Sequence, residues 1–232
     1  MNQPPDHSDT TSAASIIIGL CGAIAAGKST VAELLAASGC VVVDSDALSR
    51  AALKQPDVKE TLHAWWGPAV FDDDGNINRA VVAGIVFSDP AERARLEALV
   101  HPRVEAARRA VFAAAQPGTP ALVIDAPLLF EAGIDRECDA VIFVDAPLPL
   151  RQERVKRDRG WTSEELARRE AVQIPLDLKR RRADYHVSND GNRAALKMQV
   201  AAVLEEIIRR GPTRSSAVSP SPSTSSPRSP GC

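Results

Sequence analysis

Ile16-Ile17-Ile18-Gly19-Leu20-Cys21-Gly22-Ala23-Ile24-Ala25-Ala26-Gly27-Lys28-Ser29 is the stretch that decides the fold. Gly22 to Ser29 fits the pattern G-x-x-x-x-G-K-[ST] in full. The flanks fit as well: a β-branched run reads as a buried strand, the glycines as a turn, and Ser29 to Ala37, with Leu34-Leu35, as a helix. Backbone N–H groups of such a loop and the free N–H groups of the helix's first turn converge on one spot, where the macrodipole is also positive. That spot favours phosphate. Lys28 is placed to reach β- and γ-phosphates, and the Ser29 hydroxyl to ligate a Mg²⁺ that bridges them. An ordinary helix start carrying Gly-Lys-Ser by accident would not need the remaining constraints. Alanine at positions 23, 25 and 26 leaves Gly22 and Gly27 as the residues expected to supply positive φ.

The rest of the chain extends this pattern. Ile16–Cys21, Cys40–Val43, Ala121–Ile124 and Ala140–Val144 are short and rich in Val and Ile, and Asp44, Asp125 and Asp145 follow three of them. They read as buried parallel strands with polar groups at their carboxyl ends. Tyr185–Ser188 is a fifth, ahead of a long helix over Arg193–Arg209. Strands separated by helices predict a doubly wound α/β fold, a parallel five-stranded sheet with helices on both faces and a ligand crevice beyond the strands' carboxyl ends.

Residues 47–118 are far longer than one crossover requires. Three helical pieces are expected there: Pro56–Trp66; Asn78–Phe87, capped by the Asp72–Gly75 turn; and Asp89–Ala115, kinked or divided at His101-Pro102. Such an insertion either completes the core or covers a second substrate, and long excursions more often carry binding. Composition shifts mark Met1 to Ser15 and Gly211 to Cys232 as disordered tails around a folded unit of residues 16–210.

With 232 residues, 44% hydrophobic and 25% charged, the chain can bury a substantial core in one domain. A formal net charge of −2 gives no support to a nucleic-acid partner. Cys21, Cys40, Cys138 and Cys232 have no metal-ligand spacing and read as reduced thiols of a cytoplasmic protein. The start of the chain lacks the basic and apolar regions of a secretory signal, and no apolar run approaches membrane-spanning length.

Two further groups bear on chemistry. Arg151, Arg154, Lys156, Arg157 and Arg159 precede Gly160-Trp161-Thr162, and Arg154 and Arg157 stand three apart, on one face of a helix. A solvated basic face is the ordinary reading. Beside a phosphate-binding loop, a mobile Arg-rich lid at about residues 151–163 also answers the need to neutralise a γ-phosphate and exclude water. Asp44 and Asp46 in Val43-Asp44-Ser45-Asp46 leave the second strand beside the loop, where either could accept a hydroxyl proton or hold Mg²⁺ through water. A helix cap by Ser45 or Asp46 is the competing reading. Asp125 resembles a Walker-B acid and is a rival for the outer metal shell; sequence does not rank the three.

Taken together, several motifs resemble the dephospho-CoA kinase family of P-loop kinases. They are Gly19 to Thr30, Val43-Asp44-Ser45-Asp46, Asp74-Gly75-Asn76-Ile77-Asn78-Arg79, Val86-Phe87, Leu99-Val100-His101-Pro102, Asp125-Ala126-Pro127-Leu128-Leu129-Phe130-Glu131, Gln173 with Lys179, Ala183-Asp184 and Asn189-Asp190-Gly191. The resemblance spans residues 16–210. It implies a nucleoside-monophosphate-kinase-like three-layer fold with a kinase core over 16–46 and 119–210, and an insertion over 47–118 that holds the CoA-type substrate. It implies ATP-dependent phosphorylation of the ribose 3′-hydroxyl of dephospho-CoA, the last step of CoA synthesis, with ATP, Mg²⁺ and dephospho-CoA as ligands. Ala25, Ala26, Gly27, Lys28, Ser29 and Thr30 would hold the nucleotide, and Asn189 and Gly191 would lie near its adenine. Asp46 would match the family's candidate base, and Arg154 and Arg157 the lid, Arg154 first. In departure from the family, Cys21 replaces the usual Thr, and a thiol is a poorer hydrogen-bond partner than a hydroxyl. Another small P-loop kinase acting on a nucleoside or nucleotide is the nearest alternative, and a non-catalytic ATP-binding switch the more distant one. A GTPase would carry Asn-Lys-x-Asp, which the sequence lacks.

Overall fold

A computed structural model describes residues 15–213. Apart from Ser15 and Gly211 to Thr213, the two tail expectations therefore fall outside the described residues. Five parallel strands, β1 (Ile17–Gly22), β2 (Val41–Asp44), β3 (Leu122–Asp125), β4 (Ala140–Asp145) and β5 (Tyr185–Ser188), form one sheet in the order β2-β3-β1-β4-β5. The first three lie one residue further along than the apolar runs suggest, and in β2 and β3 the backbone pairing continues into the acids. Asp44 stands opposite Asp125, and Asp145 opposite Ser188.

Helix α1 (Lys28–Ala37) carries the chain from β1 outward to β2, whereas β4 leads through α6 (Leu148–Arg159), α7 (Ser163–Ala171) and α8 (Leu176–Arg182) to β5 on the other side. Right-handed crossovers running in opposite directions from the sheet's centre put these helices on opposite faces. The topological switch point falls at β1, which has β3 on one side and β4 on the other. Helix α9 (Arg193–Arg210) packs beside α1. Ile18, Leu20, Leu35, Ile124, Ile142 and Phe143 in the core are fully buried, each stabilising the fold by about 1.5–3 kcal/mol relative to exposure.

Between β2 and β3 run α2 (Ser45–Ala52), α3 (Pro56–Trp66), α4 (Arg79–Ser88) and α5 (Pro90–Ala113). Val58, Leu62, Val70 and Val82 pack there as a second, smaller core with Trp65, Trp66 and Leu96 against it. Two local expectations are corrected. Helix α4 is capped by the Asn78 side chain, which accepts from the N–H groups of Ala80 (3.2 Å) and Val81 (3.3 Å). The Asp72 carboxylate is instead spent inside its own turn, on Asp74 and Asn76. Pro102 does not divide the third helical piece, since α5 runs through it as one 24-residue helix. A proline removes one N–H there, and the contacts of α5 with α2 and α4, with an Arg103–Asp57 ion pair, hold the helix across the gap.

Candidate active site

At the carboxyl end of β1 the chain encloses a cavity of about 780 Å³. The loop beneath it departs from the glycine reading. Gly22 stays in β1, where an added Cβ would stand 2.5 Å from the Val144 carbonyl oxygen; the Ala23 N–H donates to that same oxygen at 3.1 Å. Close approach, not positive φ, requires glycine at this position. The left-handed residues are Ala25 (φ 60) and Gly27 (φ 88), next to the tight turn closed by Ala26 N–H on the Ala23 carbonyl at 3.0 Å. Left-handed backbone costs an alanine about 1–2 kcal/mol, part of which glycine returns as unfolded-chain entropy. Ala25→Gly should therefore raise the unfolding free energy by roughly 0.5–1 kcal/mol in a denaturant titration. A loss of similar size would mean that residue 25 is not left-handed.

Side chains take up the loop's carbonyls. Arg154 Nη1 donates to those of Ala25 and Ala26 at 3.2 Å each, and Asn189 Nδ2 donates to that of Ala26 at 2.9 Å. Arg154 Nη2 also donates to the Asn189 carbonyl at 3.2 Å, tying the loop after β5 to the loop after β1. Among the described residues the N–H groups of Ile24, Ala25, Gly27, Lys28 and Ser29 find no acceptor. Free donors converging at a helix N-terminus suit an anion.

Lys28 forms an ion pair with Asp125, which is 8% exposed. Burial pushes the Asp125 carboxyl above the usual carboxylate range, while the Lys28 ammonium opposes the shift and the charges of Asp44 and Asp46 reinforce it. Ser29 and Thr30 line the cavity in the first turn of α1. Asp44, not Ser45 or Asp46, caps α2: its Oδ1 accepts from the Ala47 N–H at 2.9 Å and its Oδ2 pairs with Arg50 at 3.6 Å. Asp46, free of the cap, lies in the first turn of α2 and borders the cavity.

The arginine run is helical, as the spacing of Arg154 and Arg157 implied. Helix α6 extends to Arg159, and only Gly160, Trp161 and Thr162 separate it from α7. Gly160 (φ 66) closes the helix, with Trp161 N–H reaching back to the Val155 carbonyl at 3.2 Å. The arginines separate by environment. Arg151 is buried against Glu170 and the Ala146 carbonyl, whereas Arg157, paired with its neighbour Asp158, lines the cavity.

Ala25, Gly27, Lys28, Ser29, Thr30, Asp46, Arg154, Arg157, Asn189 and Gly191 thus meet around one space. Ala26 and Asp125 stand behind it, the first through its bonded carbonyl and the second through Lys28. Cys21 is fully buried, its thiol pushed up to about 12 by burial, and it does not border the cavity. Residues 47–118 contribute nothing to this lining. Arg169 and Trp161 do; the sequence placed Trp161 within the lid segment and gave Arg169 no role. The Trp161 ring lies between the guanidinium groups of Arg159 and Arg169, 4.8 and 4.1 Å from its centroid. Only the folding of α7 against α6 brings Arg169 there, so no local signal could have found it.

The chain is similar to known proteins over most of its length. A family model described as dephospho-CoA kinase matches residues 16–195. The dephospho-CoA kinase of Deinococcus radiodurans is 46% identical over 191 residues, covering 82% of this chain and 91% of its own. That of Anaeromyxobacter dehalogenans is 42% identical over 194 residues, covering 82% and 92%. Among solved structures, TT1252 from Thermus thermophilus superimposes with a TM-score of 0.72 at 37% identity, over 83% of this chain and 98% of that one. The dephospho-CoA kinase from Campylobacter jejuni, 22% identical with a TM-score of 0.54 over 84% and 98%, shares the fold.

Proposed function

The chain belongs to the dephospho-CoA kinase family, and from that premise we propose that it transfers the γ-phosphoryl group of ATP to the ribose 3′-hydroxyl of dephospho-CoA, giving ADP and CoA. It is a phosphotransferase with an alcohol acceptor. The observation that carries the mechanism is the row of unsatisfied N–H groups below a cavity that Asp46 also borders. Phosphates seated on those groups leave the terminal one within the field of Lys28 and near a carboxylate able to take the acceptor's proton.

Each residue then has a task. Ala25 to Thr30 hold the polyphosphate, and Lys28 exchanges Asp125 for phosphate oxygens as charge develops there. Asp46 orients the hydroxyl and accepts its proton, while Arg154 and Arg157 neutralise the transferring group. Asn189 and Gly191 flank the adenine. The Ser29 hydroxyl, with the Asp125 carboxylate in the outer shell, offers the hard oxygen ligands that suit Mg²⁺. Bound there, the ion would spread the charge of the β- and γ-phosphate oxygens. Residues 47–118 hold the acceptor beside a core formed by 16–46 and 119–210, and residues 151–163 close over ATP. No described helix is long and apolar enough to cross a membrane.

A coupled ADP assay tests the acceptor. Turnover with dephospho-CoA should exceed that with adenosine or AMP at least a hundredfold, since a site spanning the pantetheine arm applies that binding energy to positioning. Equal turnover with AMP would favour a nucleotide kinase instead.

A further inference from the structure

We propose that Gln173 donates its side-chain amide to a phosphate oxygen of a bound substrate, and that the buried Lys179 is the positioning residue that turns the amide toward it. The proposal rests on the kinase reading above. Lys179 lies in α8 and is 0% exposed, so each proton of its ammonium needs an acceptor inside the protein. It finds three: Glu131 Oε1 at 2.7 Å, Gln173 Oε1 at 3.0 Å and the Pro127 carbonyl at 3.3 Å.

An ammonium accepts no hydrogen bond, so the atom that Gln173 offers to Lys179 is its carbonyl oxygen, and Nε2 is turned the other way. Among the described residues Nε2 has no partner, and it is not buried. Gln173 borders the same cavity as Lys28 and Arg157. Two N–H donors on the wall of a cavity that two cations also line match the oxygens of a phosphate or diphosphate.

Glu131 secures the arrangement from the next residue, since its Oε1 also accepts the Ile174 N–H at 3.0 Å. The short link between α7 and α8 is thereby fastened to the segment after β3, 43 residues away in sequence. A lone Gln on a link of this kind would sample several rotamers. With its oxygen committed to a buried charge, it presents its donors before the ligand arrives.

Phosphate oxygens reach this enzyme on ATP and on the diphosphate of dephospho-CoA, and the test separates the two. Gln173→Glu keeps an oxygen for Lys179 and replaces only the outward N–H donors, by a carboxylate oxygen. An added carboxylate repels any polyanion in the cavity, so a residue that merely spaced the link would weaken both ligands about equally, whereas a lost contact weakens one ligand alone. Calorimetric titration with ATP alone, and then with dephospho-CoA alone, should show an affinity loss of about tenfold or more for one of them. The melting temperature should not fall. Both affinities within twofold of the parent, or an equal loss for both ligands, would overturn the contact.

Lys179→Met combined with Glu131→Gln removes both charges together, which avoids leaving either buried and unpaired. This double variant should lose affinity for the same ligand as Gln173→Glu, and unchanged affinity would overturn the positioning role. Parent protein that binds both ligands yet forms no CoA would defeat the kinase reading and leave these binding results standing.

Discussion

Lys28→Ala should reduce turnover by roughly 10³-fold or more, with little change in the far-ultraviolet spectrum or the melting curve. Phosphoryl transfer leaves little covalent work to the protein, so catalysis depends on position and on charge placed where the terminal oxygens develop it. Lys28 is the cation at the start of α1, directly above the free N–H groups of the loop. The fold survives the change for a specific reason. The partner left behind, Asp125, already has its carboxyl shifted upward by burial, so it can take up a proton in place of the ion pair. Single-turnover measurement with saturating ATP separates lost chemistry from lost binding. Unchanged turnover in a folded variant would remove the phosphate-binding assignment of this loop.

The second large effect concerns two neighbouring carboxylates that local sequence leaves equivalent. Asp46→Asn should lower kcat by about 10²-fold or more, the usual contribution of a general base, whereas Asp44→Asn should stay within a few-fold of the parent. The difference follows from what each side chain touches. Asp44 is committed to the Ala47 N–H as the cap of α2 and to Arg50. Asparagine caps a helix as well as aspartate does, and an ion pair this exposed contributes little. Asp46 faces the cavity without a cap to serve. Parallel kinetics on the two variants decide the matter, and the reverse ranking would assign the proton to Asp44.

Much of this was readable from residue order. The β-branched runs ending near Asp44, Asp125 and Asp145 gave a parallel sheet, because strands buried on both faces need apolar residues without alternation. Pro56–Trp66 and Tyr185–Ser188 begin and end where their patterns do. Where the reading erred, long-range contacts overrode local rules. Glycine at position 22 signalled a turn but answers to the Val144 carbonyl, and the left-handed backbone fell on an alanine. The arginine-rich segment, expected as a lid, keeps the helix that the spacing of Arg154 and Arg157 implied, and α6 runs through it to Arg159.

By itself, then, the sequence determined the loop between the first strand and the first helix, the alternation of strands and helices, and the family. These rest on residue type at short spacing, and short spacing is all that a helix start or a buried strand requires. Tertiary structure decided which groups act together. Lys28 meets Asp125 across 97 positions, and Arg154 meets the Ala25 carbonyl across 129. It also decided that Arg151 is buried while Arg157 borders the cavity, and that Gln173 presents its donors outward. Such choices depend on which buried charges and backbone carbonyls must find partners once distant segments pack, and no pattern along the chain records that pairing.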